Sequence, residues 1–321
     1  MGKYIIRRIF DLLPTIFVVA VIVFIITRMI PGDPAAVMLG PQASVEDIEA
    51  LREELGLNAP LYTQFLQYIS NLATGDFGVS LTYNEPIVHL ILDRFPNTLV
   101  LAVSALIIAF MIGVPAGIIS ASKQNSLLDY SVMLISLIGV SMPIFWLGVM
   151  LVLYFSVNLG WFPATGMGTL EDGFIPYIKH LILPSITLAT IPMATFARIT
   201  RSSMLEVISQ DYIKTARSKG LSEFWVICKH AFKNALTPLL TVLGMQISMM
   251  LGGAVLTETI FSWPGMGRLI VDAIDKRDFV VVQGTVLFIA VIFVLVNLLV
   301  DIMYKVVNPR VNYTAGKGGA K

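Results

Sequence analysis

The sequence predicts an all-α membrane protein that crosses the bilayer about six times, and three observations carry that fold class. Charge is scarce: hydrophobic residues make up 56% of the 321 residues and charged residues only 13%, against about 25% in a soluble domain with a wet surface. Apolar runs of bilayer length recur, each of the roughly 20 residues needed to cross a hydrocarbon core of about 30 Å. Lys and Arg are also distributed unevenly between the connecting segments, as they are in proteins with a fixed membrane orientation.

In chain order the expected spans are 9–30, 98–120, 131–157, 177–197, 236–256 and 281–304. The first has no small-residue cleavage site and outruns a signal-peptide core of about 7–15 residues, so it reads as a retained helix. Lys3, Arg7 and Arg8 precede it. The loop after span four carries Arg198, Arg201, Lys214, Arg217, Lys219, Lys229 and Lys233, and the tail adds Lys305, Arg310, Lys317 and Lys321. Segment 31–96 holds only Arg52 and Arg94 against nine Asp and Glu residues. Both termini and the basic loop are therefore expected in the cytoplasm, and the acidic segment outside.

Segment 31–96 is long for a connection and carries helix signals of its own. Ser44 and Asp47 have capping-box spacing, with the carboxylate placed to reach back to the orphan amides. Ile48, Leu51 and Leu55 then share a face, and Gly56 suits a left-handed C-terminal position. A second helix fits 61–73 through Leu61, Phe65, Tyr68, Ile69 and Leu72. The segment reads as a small outer cap. Within the spans, Gly113, Pro115 and Gly117 fall in the second, Pro143 in the third, and Pro184 and Pro192 in the fourth, where they favour close helix approach and kinks.

Asp11, Arg28, Lys179, His180 and Asp301 lie near span ends, where snorkelling accounts for them. The middles of the spans lack ionisable residues, which counts against the buried relay of a proton-coupled transporter. A net charge of +1 gives no footing for nucleic acid. His89, His180 and His230 are far apart, and the topology puts His230 across the membrane from the other two, so no metal site is expected. No H-E-x-x-H or G-x-S-x-G motif occurs, and no catalytic residue is nominated. The single cysteine, Cys228, reads as a reduced, packed thiol.

Residues 209–238 form the most specific segment. They read as helix, glycine turn, helix, too polar and too short to span. Asp211 is a first-turn anion, and Arg217 with Lys219 place positive charge near the helix end. Gly220 suits the C′ position, Leu221 the contact beyond it, and Ser222 the next N-cap. Trp225, Cys228 and Phe232 are expected to line one face of the second helix.

This segment resembles the EAA loop of binding-protein-dependent ABC importer permeases. Lys214-Thr215-Ala216, three residues of spacing and Gly220 fall on the E-A-A-x-x-x-G positions. Lys214 and Thr215 depart from the general motif, and His230-Ala-Phe-Lys233 stands where it has I-x-L-P, with proline arriving at Pro238. Those departures match the peptide and nickel branch. Further resemblance to that branch lies in Arg7-Arg8, Pro31-Gly-Asp-Pro34, Gly75-Asp-Phe-Gly-Val-Ser80, Arg94-Phe-Pro-Asn-Thr98, Ser141-Met-Pro-Ile-Phe-Trp146, the stretch 251–267, Asp301 and Asn308-Pro-Arg310. The length of segment 31–96 resembles the B-type permease.

The resemblance implies a type I ABC importer permease fold. It divides the chain into 1–30, an extracytoplasmic helical segment 31–96, a five-helix core 97–310 containing the coupling loop 198–235, and a tail 311–321. It implies as partners a homologous second permease, two ABC ATPase subunits, an extracytoplasmic substrate-binding protein and membrane lipid, in a bacterial or archaeal inner membrane. The cargo is expected to be a di- or oligopeptide, with a glutathione, nickel or metallophore importer of the same family, or an ion-coupled secondary transporter, as alternatives. The coupling residues it implies are Asp211, Tyr212, Lys214, Thr215, Ala216, Arg217, Gly220, Leu221, His230 and Asn234. Gln246, Ser248, Met249, Met250 and Glu258 are candidates for the translocation pathway. The chain contains no G-x-x-x-x-G-K-[ST] phosphate loop, so ATP and Mg are expected on the partner ATPases, with no cofactor on this chain and no enzymatic activity of its own.

Overall fold

The structure is a computed structural model that describes residues 2–29, 33–40, 42–54, 56–80, 82–169 and 171–307, with side chains at 2–12, 34, 37, 38, 54, 251–253, 301 and 303–307 outside that description. The expectations for Lys3, Arg7, Arg8, Asp11, Leu55, Pro31-Gly-Asp-Pro34, Asp301, Asn308-Pro-Arg310 and the basic tail therefore lie wholly or partly outside the described residues.

Helices dominate, and strand pairing among the described residues amounts to an isolated bridge between Val79 and Pro86. In chain order the helices are α1 (Gly2–Met29), α2 (Pro34–Leu39), α3 (Val45–Glu54), α4 (Leu61–Ala73), α5 (Ile87–Ser122), α6 (Leu127–Ser141), α7 (Ile144–Leu151), α8 (Phe174–Ile208), α9 (Asp211–Ser218), α10 (Glu223–Trp225), α11 (Phe232–Gly253), α12 (Val255–Ile260), α13 (Met266–Asp275) and α14 (Phe279–Val307). Among the described residues α5, α8 and the Phe279–Val300 part of α14 are long and apolar enough to cross a membrane, and α6 with α7 makes a fourth if counted as one span. The apolar stretch of α1, Leu13–Met29, is shorter, and α11 stands where the fifth span is expected.

The third expected span, 131–157, is not one helix. It breaks between α6 and α7 with a bend of 102°. Met142 is extended at φ −75°, ψ 131°, and Pro143 becomes the N-cap of α7 rather than an internal kink. The proline ring disfavours the α conformation in the residue before it, and here Met142 takes the extended alternative and the helix ends. The second span is also longer than expected, because its helix begins at Ile87, eleven residues before Thr98.

The chain divides into two compact units. One comprises Met1–Leu99 and Ser262–Val294, and the other Val100–Phe261 and Leu295–Lys321. In the first, α4 has the bounds expected from its sequence and packs on α1: Phe65 meets Phe24 edge to face at 5.2 Å, and Tyr68 stacks on Phe24 at 5.8 Å. Leu61, placed on the same face by periodicity, is exposed. At the cap of α3 the Asp47 N–H donates to Ser44 Oγ at 3.1 Å, and the Ser44 hydroxyl donates to the Asp47 carboxylate at 2.7 Å. The carboxylate therefore bonds the hydroxyl and not an orphan amide. Gly56 is left-handed, at φ +66°, as its sequence context required.

The remainder of this unit is built on Ile87, Leu90, Ile91, Met266, Leu269, Ala273 and Val281. Two polar clasps hold it. Trp263 Nε1 donates to the Asn97 carbonyl at 2.9 Å, and the Met266 N–H donates to Thr98 Oγ1 at 2.8 Å. Buried Asp278 accepts from the Ser80 hydroxyl at 2.6 Å and from the N–H groups of Thr82 and Val281 at 2.9 and 3.2 Å. A carboxylate withdrawn from water needs such donors to offset its lost hydration. Nothing local in the sequence pairs Ser80 with Asp278.

In the second unit α8 is the central helix and packs against α6, α7, α11 and α12. Pro184 and Pro192 lie inside it and are buried. The glycines of α5 serve its approach to α8. A Cβ on Gly117 would lie 2.5 Å from the Ala197 carbonyl oxygen, and one on Gly113 would overlap the Met193 carbonyl oxygen. Both obstacles are backbone and cannot rotate away. Gly117→Val is therefore expected to destabilise the unit by about 1–3 kcal/mol, the usual cost of overpacking. A lower melting temperature of the detergent-solubilised protein checks this, and an unchanged one would refute the close approach.

Candidate functional site

The segment 209–239 is built from the packed side outward. After α8, Gln210 takes an extended N-cap conformation and α9 begins at Asp211. Ile213 and Ala216 are its buried residues, three apart on one face. They join Ala121, Met204, Val226, Ala231 and Ala235 in one apolar cluster. The opposite face presents Asp211, Tyr212, Lys214, Thr215 and Arg217 to the outside. A short amphipathic helix is thus seated on the end of a helix bundle, and burial of Ile213 supplies stability that eight residues of helix lack alone.

The helix ends as its sequence requires. The N–H groups of Lys219 and Gly220 donate to the carbonyls of Thr215 and Arg217 at 3.1 and 2.9 Å, and Gly220 sits at φ +80°. The Arg217 guanidinium then spans the turn and donates two bonds, at 3.0 and 2.7 Å, to the Glu223 carboxylate. That guanidinium holds the Glu223 carboxyl below its usual range. The Arg217–Glu223 pair is the side-chain closure of the turn. Ser222, expected to cap the next helix, occupies the N-cap position without a side-chain hydrogen bond, and Leu221 stays exposed.

The second helix of the segment differs from expectation. It is not a separate knob: α10 passes through a π-helical turn, Val226–Ala231, directly into α11. The wider winding of that turn shifts the buried face. Val226, Ala231 and Ala235 face the core, while Trp225 and Cys228 are exposed, so Cys228 is not a packed thiol. A π turn inside a helix often marks a functional position.

The structure brings Tyr212, His230 and Asn234 together. Asn234 Nδ2 donates to the Tyr212 hydroxyl oxygen at 2.9 Å and to the His230 carbonyl at 3.0 Å, tying α9 to the start of α11. Lys214 pairs with Asp211 at 2.8 Å within α9. Around this frame Lys214, Lys219, Lys229 and Lys233 are exposed, as are the rings of Phe224 and Trp225. The exposed Phe224 and Trp225 rings have the aromatic character of a protein-docking face, and the lysines around them suit its polar rim. Tyr212→Phe, which removes the tie between α9 and Asn234, is expected to loosen α9 by about 0.5–1.5 kcal/mol. Hydrogen exchange checks it: amides 213–217 should exchange several-fold faster, and unchanged protection would show that Ile213 alone seats the helix.

Sequence reasoning missed the buried ion pair close to this base. Asp129, 1% exposed, accepts two bonds from Arg201 at 2.6 and 2.8 Å, one from the Ser120 hydroxyl and one from the Asn125 N–H at 3.0 Å. These residues join the end of α5, the first turn of α6 and α8. Ser126 and Asp129 have the spacing of an N-terminal cap, and the Asp129 N–H does donate to Ser126 Oγ at 3.3 Å. Arg201, 72 positions away, cannot be found from that signal.

The pathway candidates do not share one face. Gln246, Ser248, Met250 and Glu258 are buried within the chain, Ser248 donating to Asn297 Oδ1 at 3.1 Å, while Met249 is 63% exposed. Among the described residues no cluster of His, Cys, Asp and Glu has the arrangement of a metal site.

The segment falls inside a match over residues 113–313 to the family described as binding-protein-dependent transport system inner membrane component. Residues 1–102 match the N-terminal membrane component of the same systems. The chain belongs to the binding-protein-dependent transport permeases. This permease is therefore an inner-membrane, multi-pass subunit. It is 49% identical to the dipeptide transport system permease DppB of Alkalihalophilus pseudofirmus, over 98% of this chain and 100% of that one. It is 47% identical to the di/tripeptide transport system permease DppB of Pseudomonas aeruginosa, over 98% and 99%, and 44% identical to the glutathione transport system permease GsiC of Escherichia coli, over 98% and 100%. An inward-facing structure of the MetNI methionine ABC transporter matches with a TM-score of 0.55 at 18% identity, covering 69% of this chain and 97% of that chain. That likeness places the permease in the type I importer fold.

Proposed function

We propose that this permease carries di- or oligopeptides across the inner membrane, paired with a homologous permease and driven by two ABC ATPase subunits that bind and hydrolyse ATP with Mg. The observation that carries this reading is the docking element itself: α9 held on an apolar base, closed by Arg217 and Glu223, with Gly220 at its tip and exposed aromatic and basic residues around it. The relatives named for dipeptide and di/tripeptide transport support peptide as cargo. Asp211, Tyr212, Lys214, Thr215, Arg217, Gly220, Leu221, His230 and Asn234 form or brace the face that meets the ATPase, and Ala216 seats it.

In this reading the chain spans six times, with both termini and α9 in the cytoplasm and residues 31–96 on the outer side, where a substrate-binding protein delivers cargo. Closure of the ATPase dimer moves α9, and the continuous helix from α10 through α11 transmits that motion into the bundle, switching between outward and inward access. Met249 meets the pathway or the second permease, and Gln246, Ser248, Met250 and Glu258 shape the helices behind it.

Mass spectrometry of what co-purifies with the tagged chain in mild detergent tests the assembly. A second permease and two ATPases are expected. Purification alone, with solute movement in liposomes under an ion gradient without ATP, would assign the chain to secondary transport instead. Uptake of labelled Ala-Ala against labelled glutathione by the reconstituted importer, with its binding protein, then decides the cargo.

A further inference from the structure

Within the unit that contains α1, α4 and the first turns of α14, the outer segment encloses a cavity of about 430 Å³ that docking does not explain. Arg28, Gln64, Tyr68, Asn71, Asp76 and Gln283 contribute its polar wall. One buried acceptor on this wall lacks a partner among the described residues. Gln64 donates through Nε2 to the carbonyls of Leu57 and Ala59 at 3.0 and 2.8 Å, but its Oε1 is buried with no hydrogen bond among the described residues. The buried Tyr68 hydroxyl has the Gln283 side chain as its polar neighbour on the same wall. Native proteins pair nearly all such atoms, so the Gln64 Oε1 on the cavity wall points to a ligand that supplies the donor.

The charges narrow its chemistry. The Arg28 guanidinium lies over the Phe24 ring at 5.4 Å and forms no ion pair among the described residues. In the adjoining cavity, which shares Arg28, the Asp33 and Arg52 charges are already paired with each other at 2.9 Å. Arg28 is thus a cation available to an anionic group. Asp76 supplies the opposite charge, and one of its oxygens accepts the Gly78 N–H at 2.8 Å. A cation, an anion, several amides and a buried acceptor complement a small molecule with a carboxylate, an ammonium and an amide N–H. The volume falls in the range of small-molecule sites, about 300–1,000 Å³.

We propose that this cavity binds a small zwitterionic peptide, with its carboxylate on Arg28, its ammonium on Asp76 and an N–H on Gln64 Oε1. The permease would thereby hold cargo on the outer side after it leaves the binding protein. The inference rests on the peptide reading for the identity of the ligand.

The test is isothermal titration of Ala-Ala into the assembled importer in lipid nanodiscs, without binding protein or nucleotide. Saturable binding is expected, with none for N-acetyl-Ala-Ala-amide, which keeps the amides and lacks both charges. Arg28→Gln should weaken binding roughly tenfold, as loss of one charge-assisted bond does. Asp76→Asn should weaken it roughly threefold, since it keeps the oxygen that accepts the Gly78 N–H. Size-exclusion profiles confirm that both variants assemble. Absence of saturable binding to an importer that takes up Ala-Ala when given its binding protein overturns the site, and so does equal affinity in the wild type and both variants. If that importer does not take up Ala-Ala at all, the peptide reading fails by itself, and loss of titrated binding in the variants still supports the cavity.

Discussion

Gly220→Asp should leave insertion and complex assembly intact while lowering uptake by roughly tenfold or more. Gly220 occupies φ +80°, and nothing among the described residues lies within 4 Å of where a Cβ would stand. A substitution there meets no clash inside the permease, so its effects come from backbone strain, local charge and the docked partner. Aspartate tolerates the left-handed region better than most residues, so strain costs it at most about 1–2 kcal/mol, and roughly 1.4 kcal/mol is a factor of ten in an equilibrium. Aspartate also adds a carboxylate beside the Arg217–Glu223 pair and competes for its guanidinium. Gly220→Asn is the control, because asparagine is neutral and tolerates left-handed geometry. The measurements are the yield of co-purified ATPase and uptake in proteoliposomes. Normal uptake by Gly220→Asp would remove this turn from the coupling mechanism.

Arg201→Ala is expected to be the most damaging single change to folding, at about 3–5 kcal/mol, because it leaves the Asp129 carboxylate buried without its cation. The side chain of Asp129 is 1% exposed and that of Arg201 25% exposed, so water cannot replace the guanidinium at the carboxylate. The Ser120 hydroxyl and the Asn125 N–H remain as donors but carry no compensating charge. Removing both charges, as in Asp129→Asn with Arg201→Met, should recover much of the loss, since an unpaired buried charge is the main penalty. The double-mutant cycle, read as melting temperature and accumulated protein, isolates the pair. If Arg201→Ala were as stable as the wild type, the pair would be ornamental.

Both predictions mark where the sequence was readable and where it was not. The membrane class, the helical outer segment, the bounds of α4 and the left-handed glycines at 56 and 220 follow from composition, periodicity and local turn chemistry. Those are properties of neighbouring residues, and neighbours in sequence remain neighbours in the fold. The segment 209–238 was legible for the same reason: Asp211 to Asn234 is one local motif, and Tyr212, His230 and Asn234 come together within its length.

What needed the tertiary structure was everything that depends on residues far apart in the chain or on which way a helix turns. The Asp129–Arg201 pair closes over 72 positions, Ser80 meets Asp278 over 198, and the cavity wall collects Arg28, Gln64 and Gln283 from three helices. The sequence put Trp225, Cys228 and Phe232 on one face, but across the π turn at Val226–Ala231 Phe232 packs on the core while Trp225 and Cys228 are exposed. It read 131–157 as one span, but Pro143 ended the helix and began another. By itself the sequence determined that this chain lives in a membrane as a helical permease with a left-handed turn at Gly220. Only packing decided which charges are buried together, because burial is a property of neighbours in space, and a single chain's pattern specifies faces without specifying what lies against them.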